Sequence, residues 1–74
     1  MNAIQSKMAR AATGLGVRAL AEAAGVSPNT VARLERGEVL RQTTIDSIRA
    51  ALEAAGVVFL PENGNGPSVA LRKV

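Results

Sequence analysis

Pro28, Asn29, Ala32, Arg33 and Arg36 form a small polar and basic set within the run VRALAEAAGVSPNTVARLERG, residues 17–37. Arginine combines phosphate contact with planar contact to base edges, through a rigid fork of donors. Leu20, Ala21, Val26, Val31 and Leu34 fall where a pair of crossing helices buries them. A helix with that layout can press into a groove of DNA with no bulky apolar groups in the way.

Two short helical patterns position this set, one on each side of Ala24-Gly25-Val26-Ser27. The first of the pair runs from Val17 to Ala24, with Leu20 and Ala21 inward and Gly25 at the left-handed stop. Ser27 as N-cap and Pro28 at the first helical position start the second, which ends at Arg36 with Gly37 following. An alanine-rich helix precedes the pair over residues 3–13, with Ile4, Met8, Ala11 or Ala12, and Leu15 at helical spacing. Glu38 to Gln42 reads as a loop whose Val39 and Leu40 fold back on the core. A fourth helix starts at Thr43 or Thr44, carries Ile45, Ile48, Leu52 and Ala55 along one stripe, and stops at Gly56. Beyond it the period changes. Val57-Val58-Phe59-Leu60 and SVALRK flank PENGNGP, a strong turn signal, so residues 57–74 form a β-hairpin or two extended segments.

The 74 residues make one small domain, and a chain of this size buries only about 60% of its unfolded surface. It has no cysteine, histidine, tryptophan or tyrosine, and Phe59 is its single aromatic. Disulfides and thiolate metal sites are thereby excluded, and pairing with a second chain would help the core. Nine Lys and Arg face six Asp and Glu, a net charge of +3 that suits either a solvated surface or nucleic acid. Asp46, Glu53 and Glu22 read as solvated charges, Ser27 has no base near it in sequence, and Gly64 and Gly66 are turn glycines. The expectation is therefore a protein with no catalysis, no cofactor, no metal and no small-molecule ligand. With no membrane-length apolar run and no signal-peptide pattern at the N-terminus, the expected location is the cytoplasm.

LAEAAGVSPNTVARLERG resembles the helix-turn-helix of phage repressors and Cro proteins, the XRE family of regulators. The matching positions are Leu20-Ala21, Ala24-Gly25-Val26-Ser27, Thr30-Val31, and Leu34-Glu35 followed by Gly37. The resemblance covers roughly the first four helices and implies an all-α fold, a small lambda-repressor-like bundle of four helices over residues 1–56. It implies sequence-specific binding of double-stranded DNA, with the second motif helix in the major groove. Ser27, Pro28, Asn29, Thr30 and Arg33 then stand at the base-contacting positions. Asn29 can pair with adenine, Arg33 can present a fork to guanine, and Thr30 can serve a phosphate or a thymine methyl. For Ser27 and Pro28 helix capping is the competing role.

The family also implies an ion pair between Arg10 and Glu35 that ties the first helix to the third; the alternative puts Arg10 against DNA. Many relatives carry Ser or Thr and then Gln where this chain has Gly16 and Val17. The phosphate contact there falls to the backbone at Val17, since a helix N-terminus binds anions without side-chain help, and to Arg18. Arg41 and Thr43 before the fourth helix are further phosphate contacts, with Arg36 and Lys7 as weaker ones. Residues 57–74 look like the C-terminal extension of short stand-alone regulators. They either form a homodimer through Val57, Phe59, Val69 and Leu71 or simply cap the bundle. Two readings of function remain: a transcriptional regulator, most simply a repressor or autoregulator in a bacterium, phage or mobile element, or a module for a protein partner such as a toxin or another regulator.

Overall fold

A computed structural model describes residues 1–61 and 64–72. Four helices are followed by one hairpin: α1 (Ala3–Thr13), α2 (Val17–Ala24), α3 (Pro28–Glu35), α4 (Gln42–Ala54), β1 (Val57–Leu60) and β2 (Ser68–Leu71). Local chemistry explains most of the boundaries. Asn2 and Gln5 cap the start of α1 reciprocally, each side chain accepting from the other's backbone N–H. Ser27 caps α3 through Thr30 N at 3.2 Å, and Pro28 occupies its first turn.

The turn between α2 and α3 requires Gly25, whose φ of 71° lies in the left-handed region that L side chains avoid. Gly37, at φ 85°, reverses the chain after α3 and lets Glu38 N donate back to Arg33 O at 3.1 Å. The third helix stops at Glu35, with Arg36 in the capping position, one residue short of the expected end. The fourth begins at Gln42, with Arg41 at the N-cap, ahead of either threonine. Neither Arg41 nor Gly16 supplies a side-chain cap.

Leu20, Ile48, Leu52, Val31 and Val57 are the largest fully buried apolar side chains. Each contributes about 1.5–3 kcal/mol by leaving water. Ala9, Ala21 and Leu34 complete the core, with Leu40 and Ile45 packed at its edge. On α1 the inward residues are Ser6 and Ala9, whereas Ile4, Ala11 and Ala12 are exposed. The apolar spacing had favoured another face. Small Ala9 lets α1 sit close to the core, and Ser6 is drawn inward by a charged partner on α3. Val39 also departs from expectation: it is 94% exposed, while Leu40 alone turns toward the core. After the reversal at Gly37 only one of two consecutive side chains can point inward. Ala55 lies just beyond α4 and is exposed.

The strands pair antiparallel in the register Val57↔Leu71, Val58↔Ala70, Phe59↔Val69 and Leu60↔Ser68. Side chains alternate across a strand, so Val57, Phe59, Val69 and Leu71 share one face. That face turns to the bundle: Val57 is 2% exposed, and Phe59 and Val69 pack against the core. Val58 and Leu60 point the other way. The hairpin is anchored further by Gln5 Nε2 donating to Ser68 O and by Arg49 lying 4.9 Å from the centre of the Phe59 ring. Glu62, Asn63, Lys73 and Val74 lie outside the described residues, and with them part of the predicted turn and the end of the predicted second extended segment.

Candidate nucleic-acid interface

Helix α3 buries Val31, Leu34 and Glu35 and turns the opposite edge outward. Pro28 and Asn29 are exposed there, with Thr30 and Arg33 half-buried beside them. Asn29 and Arg33 are four residues apart and so share one face of the helix. The Asn29 amide makes no hydrogen bond among the described residues, which leaves its donors and acceptor open to a partner. Ser27 and Thr30 are engaged with each other, their hydroxyls 2.9 Å apart. Ser27 is thus a cap that also holds the Thr30 side chain.

Tertiary structure brings two further segments to this edge. Thr30 and Arg33 line a shallow groove together with Val39, Leu40, Arg41 and Thr44. Arg18 lines a depression with Ala21, Glu22, Val26 and Pro28, between α2 and α3. Arg41 and Arg18 are exposed and make no ion pair among the described residues. Thr43 is exposed on the first turn of α4, which lacks a side-chain cap. The Val17 side chain packs against the core, so only its backbone can serve an anion at the start of α2. Lys7 is an exposed residue of α1 whose charge acts on Glu35.

Arg10 joins Glu35 through two bonds, Nη2 to Oε1 at 2.7 Å and Nε to Oε2 at 2.8 Å. Ser6 Oγ donates to Oε2 at 2.7 Å, completing a network between α1 and α3. Burial pushes the Glu35 carboxyl up, but the hydrogen bonds from Arg10 and Ser6 outweigh it, and the carboxyl lies below its ordinary value. The Arg10 guanidinium is raised by its bond to the same carboxylate. Ser6 went unnoticed in the sequence, although it stands four residues before Arg10 on one helix face.

Glu38 is the other residue that sequence reasoning missed. Its Oε1 accepts from Arg33 Nε at 3.0 Å, and its Oε2 accepts from Arg36 Nε at 3.0 Å. Hydrogen bonds from Arg33 and then Arg36 hold its carboxyl below the usual glutamate range. The signal available was a lone acid just past Gly37, after two arginines on one helix edge.

Among the described residues no group of acidic side chains is placed to hold a metal ion. No helix there is long and apolar enough to cross a membrane. No curated protein matches the chain. A family model described as a helix-turn-helix domain matches residues 7–58, which takes in most of the first helix, the whole α2–α3 pair, α4 and the first residues of the hairpin. By that match, and by the exposed polar edge of α3, the chain belongs to the helix-turn-helix domain family, a DNA-binding class.

Proposed function

We propose that this protein is a sequence-specific transcriptional regulator of the phage repressor and Cro type, a repressor or autoregulator that reads the major groove with α3. The observation that supports it best is the convergence of Thr30 and Arg33 on α3 with Arg41 and Thr44 at the start of α4 along one groove. Asn29 and Arg33 address base edges, with Thr30 at a phosphate or a thymine methyl. Arg18, Arg41, Thr43 and the open backbone at Val17 take phosphates on either side. Arg36 adds positive charge at the far end of the helix. Such a role belongs in the cytoplasm of a bacterial cell and involves no catalytic step.

A dimer is part of the proposal. The longest extent of the domain is 29 Å, which fits within the roughly 34 Å that separates successive half-sites on one side of the duplex. Two copies can therefore sit in adjacent major grooves without overlap. Because Val57, Phe59 and Val69 serve the bundle, contact between subunits falls to the outer face of the hairpin. Val58 and Leu60 are each 39% exposed there, whereas Leu71, on the opposite side, is 52% exposed because it lies at the strand end.

A second reading, docking of a protein partner such as a toxin or another regulator, is favoured by two features. Gly16 leaves the start of α2 without a side-chain contact, and Glu38 occupies two of the basic groups on the α3 edge. Selection from a random duplex pool at near-physiological salt separates the two. A recovered inverted repeat is the expected result for a dimeric DNA reader. No enrichment by a folded protein would transfer the proposal to the protein partner.

A further inference from the structure

Glu38 sits on the surface that this reading assigns to DNA, where a carboxylate is out of place. Two explanations are open in principle: it competes with phosphate for the arginines, or it holds one of them in place. The hydrogen bonds favour the second. Arg36 donates Nε to Glu38 Oε2 at 3.0 Å, and its Nη2 lies 2.9 Å from the same oxygen as an ion pair. Arg33 gives Oε1 only Nε, at 3.0 Å. Its terminal nitrogens, the end-on pair that matches guanine O6 and N7, have no acceptor among the described residues. A base can therefore take the fork while the Nε bond persists.

The backbone acts in the same direction. Glu38 N donates to Arg33 O at 3.1 Å across the Gly37 reversal, so the carboxylate is tied to the very residue that it holds. Arg33 on α3 and Arg36 at its C-cap are three residues apart and repel each other, and a carboxylate between them relieves that repulsion. A side chain as long as arginine otherwise loses considerable rotamer freedom when it meets a base, and a restraint at Nε removes part of that loss beforehand.

We infer that Glu38 is a positioning residue for base reading: by holding Arg33 at Nε it presents the terminal nitrogens of that arginine to one base pair. The inference rests on the proposed DNA-reading role of α3. It is tested by competition binding of the full chain to its selected duplex and to single-base variants of it, for wild type, Arg33→Ala, Glu38→Ala and Glu38→Gln. Arg33→Ala and Glu38→Ala should weaken preference at the same base pair, Glu38→Ala by on the order of tenfold. Glu38→Ala should at the same time bind random duplex more tightly, because a negative charge has left the surface. Glu38→Gln keeps an acceptor for Arg33 Nε and should recover part of the preference.

Glu38→Ala with its base preference intact and all duplexes bound more tightly would make Glu38 a competitor of phosphate and overturn the inference. If Arg33→Ala itself changes no preference, the assignment of α3 as the reading helix fails first, and the inference with it. Glu38 lies on the surface, so the variants are expected to remain folded. Should Glu38→Ala unfold, the comparison of Glu38→Gln with wild type carries the same two outcomes.

Discussion

Arg10 on α1 and Glu35 on α3 meet through two parallel hydrogen bonds of 2.7 and 2.8 Å, and Ser6 supplies a third bond to the same carboxylate. Removing Glu35 leaves the buried Ser6 hydroxyl without its acceptor and the Arg10 guanidinium with only a 3.4 Å bond to Leu15 O, so loss of this partner is worse than never having had the pair. Glu35→Ala should destabilise the fold by about 2–3 kcal/mol, discounted for the part of Arg10 that reaches solvent. Urea unfolding followed by circular dichroism measures this. A change within 0.5 kcal/mol, the usual range of roughly neutral surface substitutions, would mean that the network contributes nothing net.

The same carboxylate makes stability depend on pH. Its value in the folded protein lies below that of the unfolded chain, so its contribution is fully present above the ordinary glutamate value of about 4.3 and is lost as pH falls through the folded value. Thermal unfolding between neutral pH and pH about 3 should show a declining midpoint in the wild type. Glu35→Gln should flatten that decline. An equal slope in both proteins would assign the acid sensitivity to other carboxylates.

Arg33→Ala should weaken binding to the selected site by about 1–3 kcal/mol and relax preference at a single base pair. Titration of the site and its single-base variants reads both numbers. Preference lost evenly over many positions would point to a disturbed helix rather than a lost base contact.

Arg41→Ala should behave differently, because a phosphate contact carries no sequence information. All duplexes should weaken alike, and the slope of log affinity against log salt should flatten by about 1. A shift in base preference would contradict the phosphate role.

The hairpin calls for a surface test rather than a deletion. Removing residues 57–74 would take Val57 from the core and the packing of Phe59 and Val69 with it. The double substitution Val58→Glu with Leu60→Glu leaves that core in place and puts like charges on the outer face. Analytical ultracentrifugation should show a monomer with weakened affinity for an inverted repeat. A variant that remains dimeric would move the interface off the hairpin.

Much of the polar edge of α3 was legible because its determinants are local. Ser27, Pro28 and Gly37 encode where α3 starts and where the chain reverses, and the spacing of Val31 and Leu34 dictates which edge faces inward. Gly25 encodes the turn before it. The boundary of α4 was less legible, since Arg41 is an unusual N-cap and the threonines beyond it advertised a later start. On α1 the apolar pattern misled, because Ala9 and Ser6 are small enough to be buried and say little in sequence.

Sequence alone thus determined four helices, the turn between α2 and α3 and the polar edge of the latter, all set by interactions spanning a few residues. Tertiary structure decided which long-range partners meet. It brought Ser6 and Arg10 to Glu35 across 29 and 25 residues of chain, and placed Arg41 and Thr44 along the groove of Thr30 and Arg33. It also chose the face of the hairpin. An alternating strand has two apolar sides here, and only the packing of Val57 against the bundle decides which is core and which is left exposed.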